Sequence, residues 1–231
     1  NMNKRKAFTL IELLVVIGII AMLMGVLLPS LAKARTIAKR TLCVSNLRQV
    51  GIATETYAQD NTLSYPSSED PMPGRNYWLW MGRGMRDALL PYLENQAGKT
   101  SVLCCPGDRT AENKYDATSY AYSMSFYHSP DQINNITSVA GTYSSPVRQV
   151  VQKIGNAKHP GMKIIYGEWY SNHDRIENDG AWWCLEGTRN FIFADNHVDY
   201  VPASDIEPAN DGLPDPNLTK NGIRGIDYRG K

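Results

Sequence analysis

Two groups of acidic side chains in the C-terminal half of the sequence have the composition of a calcium site. Asp174, Glu177 and Asp179 follow one another closely, and Asp211 and Asp215 lie near the C-terminus. Carboxylate oxygens at close spacing suit Ca²⁺, although neither group follows the pattern of an EF-hand loop. We therefore expect an ordinary polar loop at each group, with a Ca²⁺ site as the alternative prediction.

The four cysteines and four histidines do not form a recognisable catalytic or zinc-binding motif. Zinc sites pair their ligands in Cys-x-x-Cys or Cys/His sets, and hydrolases have a His-Glu-x-x-His helix or a nucleophile elbow. None of these motifs occurs in the sequence, so we expect the histidines to be satisfied or exposed rather than parts of a catalytic site. In an oxidising compartment, Cys184 can form a disulfide with Cys104 or Cys105; alternatively, some of these cysteines are small buried hydrophobic residues.

Glu12 is the one charged residue in an otherwise apolar segment that runs from Phe8 to Ala32. A charge at the centre of a membrane helix costs about 3 kcal/mol on insertion scales, and less near the interface. We therefore expect this carboxylate to have a specific partner. The alternative is a tolerated charge that reaches the lipid headgroups.

Residues 8–32 are long enough to cross a membrane as a helix, since a span needs about 20 apolar residues. Lys4, Arg5 and Lys6 flank this segment on its N-terminal side only, which orients that side toward the cytoplasm. A cleaved secretory signal peptide, with a cleavage site at Ala32-Lys33-Ala34, is the competing interpretation. It would make the chain a secreted enzyme or a carbohydrate-binding module.

An amphipathic helix is predicted for residues 33–60, ending at Asp60-Asn61. Pro29 and the preceding glycines predict a kink or local melting between Gly18 and Pro29. The apolar residues at helical spacing are expected to pack on a globular head; they are Leu31, Ala34, Ile37, Ala38, Leu42, Leu47, Val50, Ile52 and Ala53.

The head, residues 61–201, is predicted to be α+β with a small antiparallel sheet, because several strand patterns follow one long helix. We expect a short helix over 85–93, strands at 120–124 and 162–169, and a hairpin formed by 191–193 and 198–201. The aromatic-rich segments are expected in the head core and in subunit contacts rather than on a sugar-binding or adhesive surface. Residues 202–231 show no core pattern and are predicted to be an irregular tail, either draped on the surface or ordered by a neighbour.

The run Lys4-Arg5-Lys6-Ala7-Phe8-Thr9-Leu10-Ile11-Glu12 resembles the signal of type IV prepilins and type II secretion pseudopilins. The resemblance implies that residues 1–7 are a leader, cut by a prepilin peptidase between Ala7 and Phe8, and that Phe8 becomes the methylated N-terminus. Most of the family has Gly where this chain has Ala7. The resemblance also implies that Glu12 pairs with the Phe8 amine of a neighbouring subunit, and that Pro29 belongs to the assembling helix.

The head also resembles pilin-like proteins of planctomycete- and verrucomicrobia-type bacteria. The resemblance lies in Cys105-Pro106, in Ser119–Tyr122 and in Asn190–Val198. Relatives of that type have an Asp-Gly turn preceded by a histidine, whereas this chain has Asp195-Asn196 and Leu185. Asn can adopt the left-handed conformation that Gly provides, so we expect the turn to be kept.

These resemblances imply a structural filament subunit with no catalytic role. Its expected partners are copies of itself, the peptidase, an assembly platform in the inner membrane and the bilayer before assembly. It is expected as a single-pass inner-membrane protein first and as a periplasmic or extracellular filament afterwards. A minor pseudopilin at the tip of a secretion machine is an alternative. The net charge of +1, without a basic stripe, does not favour nucleic acid as a ligand.

Overall fold

The computed structural model describes residues 9–75, 77–93, 102–108, 118–138, 146–174, 176, 179–181 and 183–230. The chain divides into two units, Asn1–Ala38 and Lys39–Lys231, which we treat as separate bodies. The predicted leader, Phe8 and Glu177 lie outside the described residues.

Helix α1 (Leu10–Asp60) is the longest element and ends where the sequence predicts. In the first unit it continues without interruption through Pro29, so the local melting expected between Gly18 and Pro29 is not found in this part of the helix. Proline removes one hydrogen bond from the ladder. The turns on either side of Pro29 keep their helical assignment, and they hold the backbone in register.

In the second unit, one face of α1 is buried, but it is not the face that hydropathy alone indicates. Leu47 and Val50 are fully buried as predicted, whereas Leu42 and Ile52 are 54% and 59% exposed. Helical spacing from Leu47 leads to residues that are small or weakly polar, so the buried face contains fewer strong hydrophobes than expected. Its members are Cys43, Leu47, Val50, Gly51, Ala53, Thr54 and Ala58.

The head contains a four-stranded antiparallel sheet, which confirms the α+β prediction. The strands lie in the order β1 (Tyr120–Tyr122), β2 (Ile164–Glu168), β3 (Thr188–Phe193) and β4 (Val198–Pro202). Every residue of β1 and β2 is buried, so both faces of this part of the sheet are covered. The Tyr166 hydroxyl lies 2.8 Å from the Thr54 hydroxyl and joins β2 to α1.

The predicted hairpin is confirmed as the pair β3 and β4, with Ile192 opposite Val198. Asn196 occupies the turn with φ of 68°, the left-handed conformation expected for it. Helix α2 (Arg83–Leu89) and a 3₁₀ turn over Leu90–Tyr92 fill the predicted helical segment. A further helix, α3 (Pro130–Asn135), begins with a capping box between Ser129 and Gln132 that we did not predict.

The prediction of a tail that lies on the surface or on a neighbour is wrong. The tail is irregular, built mainly of 3₁₀ turns, but Ile206, Leu218 and Ile223 belong to the buried residues of the head. Two of its buried polar residues bond to the backbone of the head: the Asn217 Oδ1 accepts from the Met124 amide at 3.0 Å, and the Asp227 Oδ2 accepts from the Ile164 amide at 2.7 Å. A segment built of single turns has no helical or strand period, and for that reason its sequence shows no core pattern.

Candidate functional site

The first turn of α1 holds Glu12 in a capping box with Thr9. The Thr9 amide and hydroxyl both donate to the Glu12 Oε2, at 2.8 and 2.7 Å. The Glu12 amide donates in turn to the Thr9 hydroxyl oxygen at 3.3 Å. In the single subunit, therefore, the carboxylate already has two hydrogen-bond donors. Our sequence analysis missed this role of Thr9, although Thr-x-x-Glu before an apolar run is the sequence signature of a capping box.

The apolar residues that follow Glu12 are exposed on every side of the helix. Leu10 and Met22 are 75% and 77% exposed, and the least exposed of the large apolar residues from Leu10 to Leu31, Val16, is still 45% exposed. A helix that is apolar all round requires a bilayer or other helices as its surroundings. By length and composition, α1 meets the requirement for one membrane span near the N-terminus.

Comparison with known proteins agrees with this geometry. Residues 2–28 match the family described as the prokaryotic N-terminal methylation motif. The chain is also 46% identical, over 68 residues, to the type IV wide pilus major component PilA4 of Thermus thermophilus. Both findings support the type IV pilin and pseudopilin family for the N-terminal part of the chain.

The similarity to this pilin covers only part of each protein. The matched region is 29% of this chain, and the chain spans about half (51%) of the length of PilA4. No solved structure matches the chain. The comparisons therefore bear on its pilin-like part, and most of the head is interpreted from its own geometry.

The residues predicted for pilin assembly lie in the first unit. Glu12 and Pro29 are both within α1, whereas Ala7 and Phe8 are outside the described residues. The described part of the chain therefore does not include the N-terminal amine with which Glu12 is predicted to pair. The pairing of Glu12 with a neighbouring Phe8 stays a prediction.

The residues predicted to bind calcium have separate structural roles where they are described. Asp179 accepts from the Arg189 guanidinium and from the Ser171 amide, so each of its carboxylate oxygens has a donor. Asp211 accepts from the Leu213 amide at 3.0 Å, and Asp174 is an exposed turn residue. Calcium binding stays a prediction for this pilin-like chain.

Asp215, the other predicted calcium ligand, is a buried capping residue. It is 2% exposed, and its Oδ1 accepts from the Asn217 amide at 2.9 Å. Burial raises the pKa of Asp215 to about 7, because removal from water penalises the charged carboxylate.

The disulfide of the head differs from the predicted pairing. Cys105 is bonded to Cys43 of α1 and not to Cys184; the two Cα atoms are 5.0 Å apart and the two residues are 62 positions apart. Cys104 and Cys184 remain thiols. The prediction considered only Cys104, Cys105 and Cys184 as partners, whereas α1 turns Cys43 directly into the head core.

A buried polar cluster lies against this disulfide. The His173 Nε2 is 3.4 Å from the Cys105 Sγ and 3.1 Å from the Glu168 Oε1. The Glu168 Oε2 accepts from the backbone and side-chain nitrogens of Asn190, at 2.9 and 3.0 Å. One ligand atom from each of Cys43, Cys105, Glu168 and His173 lies within 4.8 Å of the others, a donor set that suits Zn²⁺. Both sulfurs are used in the disulfide, so the oxidised head offers only the imidazole and the carboxylate.

Asp70 is the centre of a second buried cluster. Its Oδ2 accepts from the Tyr127 hydroxyl at 2.7 Å and lies 3.0 Å from the His128 Nε2. Its Oδ1 accepts from the Leu79 amide at 3.2 Å. The side chains of Asp70 and His128 are both fully buried. This cluster joins three loops of the head and has no open face, so it is suited to holding the fold rather than to binding a substrate.

Proposed function

We propose that this chain is the structural subunit of a type IV pilus-like or type II secretion pseudopilus filament. In this proposal a prepilin peptidase cuts between Ala7 and Phe8, the new amine is methylated, and subunits polymerise through α1. The observation that carries the proposal is the first half of α1, where an apolar surface exposed on every side of the helix begins with a single capped carboxylate. The methylation motif over residues 2–28 supports the processing step.

The apolar surface of α1 has two suitable environments, and the proposed function uses both in turn. Before assembly the helix lies in the inner membrane, where its exposed leucines and isoleucines contact lipid. In the filament the same side chains contact the helices of other subunits. Members of this family are structural rather than catalytic, and the PilA4 match supports a filament role for this chain.

Glu12 is the residue that gives the assembled bundle its register. In a bundle of apolar helices a carboxylate is stable only when a positive charge or a donor compensates it. Thr9 compensates it in the single subunit. On assembly, the amine of Phe8 from a neighbour supplies the opposite charge, so only one axial position of the two helices is favoured.

Two substitutions separate the charge of Glu12 from its capping role. Glu12→Gln removes the charge but keeps a side chain that can complete the capping box. Thr9→Val removes the hydroxyl of the capping box and keeps the charge. We expect Glu12→Gln to abolish filaments and Thr9→Val to retain them. Filaments sheared from cells are counted by electron microscopy, at equal levels of the subunit in the membrane.

Normal filament number and length with Glu12→Gln would contradict the proposed register. Mass spectrometry of the mature N-terminus tests the processing step, with N-methylated Phe8 expected and an N-terminus at Arg35 indicating a signal peptide instead. The abundance of the chain in sheared fibres distinguishes a major subunit from a minor tip pseudopilin.

A further inference from the structure

Lys163 and Asp227 form an ion pair that is sealed inside the head. Lys163 is fully buried and Asp227 is 2% exposed. The Lys163 Nζ is 3.2 Å from the Asp227 Oδ1 and 2.9 Å from the Oδ2. Lysine is almost never fully buried, and a buried pair of this kind keeps a large desolvation cost. Such an amine and carboxyl, held together without water, are the reactants of an amide bond.

The contacts around the pair are those that amide formation requires. The Nζ lies 2.9 and 3.2 Å from the two Asp227 oxygens, which brings the carbon that carries them close to the range of reacting atoms, roughly 3–3.5 Å. The Ile164 amide donates to the Asp227 Oδ2 at 2.7 Å, where it can stabilise the negative charge of a tetrahedral intermediate. The Phe126 ring lies beside the amine, with its centroid 6.0 Å from the Nζ. Desolvation lowers the pKa of Lys163, which favours the neutral, nucleophilic amine.

Thr219 connects the two reacting groups. The Lys163 Nζ donates to the Thr219 Oγ1 at 2.5 Å, and the Thr219 hydroxyl donates to the Asp227 Oδ1. Thr219 is 4% exposed, so the hydroxyl is protected from solvent together with the pair. A hydroxyl in this position can accept a proton from the amine while it passes its own proton to the carboxyl oxygen.

We propose that Lys163 and Asp227 form an intramolecular isopeptide bond, with Thr219 as the proton relay. One proton moves from the ammonium through Thr219 to the Asp227 Oδ1, which gives a neutral amine and a carboxylic acid. The Nζ then attacks Cγ and forms the C–N bond. A second proton follows the same relay, the Cγ–Oδ1 bond breaks, and Oδ1 leaves as water. The third proton stays on the amide nitrogen, so no oxidant or reductant is needed.

The bond removes the cost of two buried charges and fastens the C-terminal tail to the start of β2. Exclusion of water also protects the amide from hydrolysis. Because Lys163 and Asp227 lie on either side of β3 and β4 in sequence, the crosslink closes a covalent loop around the hairpin.

Intact mass of the full-length chain, purified in detergent and measured under denaturing, reducing conditions, tests the proposal. Lys163→Arg is the reference, because this variant undergoes the same N-terminal processing as the wild type. Its mass can be compared with the calculated value whether or not the variant folds. We expect the wild-type chain to be lighter than calculated by one water molecule and the reference to match its calculated mass. Trypsin should fail to cut after Lys163 and should release a branched peptide containing Lys163 and Asp227. The proposal is overturned if the wild-type chain has its full calculated mass and trypsin cuts it after Lys163. In that case the two residues form a plain ion pair.

Two variants at position 219 test the relay. Thr219→Val keeps the shape and removes the hydroxyl, whereas Thr219→Ser keeps the hydroxyl. The measured quantity is the rate at which the chain loses one water molecule during refolding, monitored by mass spectrometry. We expect this rate to fall about a hundredfold in Thr219→Val and to stay near the wild-type rate in Thr219→Ser. Equal rates in the two variants would exclude Thr219 from the reaction.

Discussion

Buried and exposed pairs of aspartate and histidine differ in what they contribute to the head. Asp70 and His128 are fully buried, and Asp70 also receives donors from Tyr127 and Leu79. Asp195 and His197, in contrast, lie in the hairpin turn with side chains that are 41% and 39% exposed. Removing one member of a buried pair leaves the other without a hydrogen-bond partner, which costs stability. In an exposed pair, water takes the place of the missing member.

We therefore predict that Asp70→Ala destabilises the head by about 3–5 kcal/mol, because it leaves buried donors without an acceptor. Asp195→Ala is the matched control and should cost at most about 1 kcal/mol. Denaturant unfolding of the full-length proteins in detergent, followed by tryptophan fluorescence, measures both values. Equal losses for the two variants would contradict the structural role assigned to Asp70.

Individual residues also show where sequence analysis reaches its limit. The Thr9 capping box was predictable from the spacing Thr-x-x-Glu, but our interpretation of Glu12 considered only its charge. The cluster of Glu168, His173 and the Cys43–Cys105 disulfide had no such signal. Its members come from α1, the loop before β1, the end of β2 and the loop after it, and only the completed fold brings them together.

At the scale of elements, segments with a strong period were predictable and segments without one were not. The end of α1 at Asp60, the buried strand β2 and the hairpin with Asn196 in its turn were all predicted from local patterns. The buried face of α1 was only partly predicted, because Gly51, Thr54 and Ala58 pack there while Ile52 faces solvent. Hydropathy ranks residues by how apolar their side chains are. Where two elements approach closely, however, small side chains are required whatever their hydropathy.

Gly82 connects two elements and has a backbone that other residues cannot easily adopt. It ends the 3₁₀ turn Leu79–Met81 and begins α2, with φ of 89°. A Cβ at this position would lie 2.8 Å from the Tyr120 carbonyl oxygen and closer still to the Thr118 side chain. Both the left-handed conformation and the approach of β1 therefore require glycine.

We predict that Gly82→Ala destabilises the head by about 2–4 kcal/mol, through a strained φ and a backbone clash. Gly74→Ala separates the two causes, since Gly74 also has a positive φ (71°) but a Cβ added there would meet no atom within 4 Å. Gly74→Ala should cost only about 1 kcal/mol. Thermal unfolding by circular dichroism compares them, and similar melting temperatures for both variants would exclude the clash with β1.

At the scale of the whole molecule, the two units have opposite requirements for their surroundings. The first unit exposes apolar side chains throughout and contains no polar face from Leu13 to Leu28. The second unit buries many of its described aromatic residues, and Trp80 and Trp169 are in contact at a centroid distance of 5.4 Å. The tail was misjudged at this scale, because its contribution to the core depends on contacts with residues far away in sequence.

The disulfide stabilises the second unit as a whole by constraining its unfolded chain. We predict that the double substitution Cys43→Ala with Cys105→Ala costs about 2–5 kcal/mol of stability, given the 62-residue separation that the bond closes. Cys184→Ala is the control, because Cys184 is not part of this bond. Dithiothreitol should lower the melting temperature of the wild type and of Cys184→Ala but not that of the double variant. An unchanged wild-type melting temperature would contradict this role.

The position of Cys43 within α1 also has a consequence for the export that we propose. The cytosol keeps thiols reduced, whereas the far side of the inner membrane allows them to oxidise. A head on the cytosolic side would therefore lack the link that fixes α1 to the loop before β1. Under the proposed function, translocation would complete the covalent structure, and this order of maturation would disfavour premature polymerisation in the cytosol.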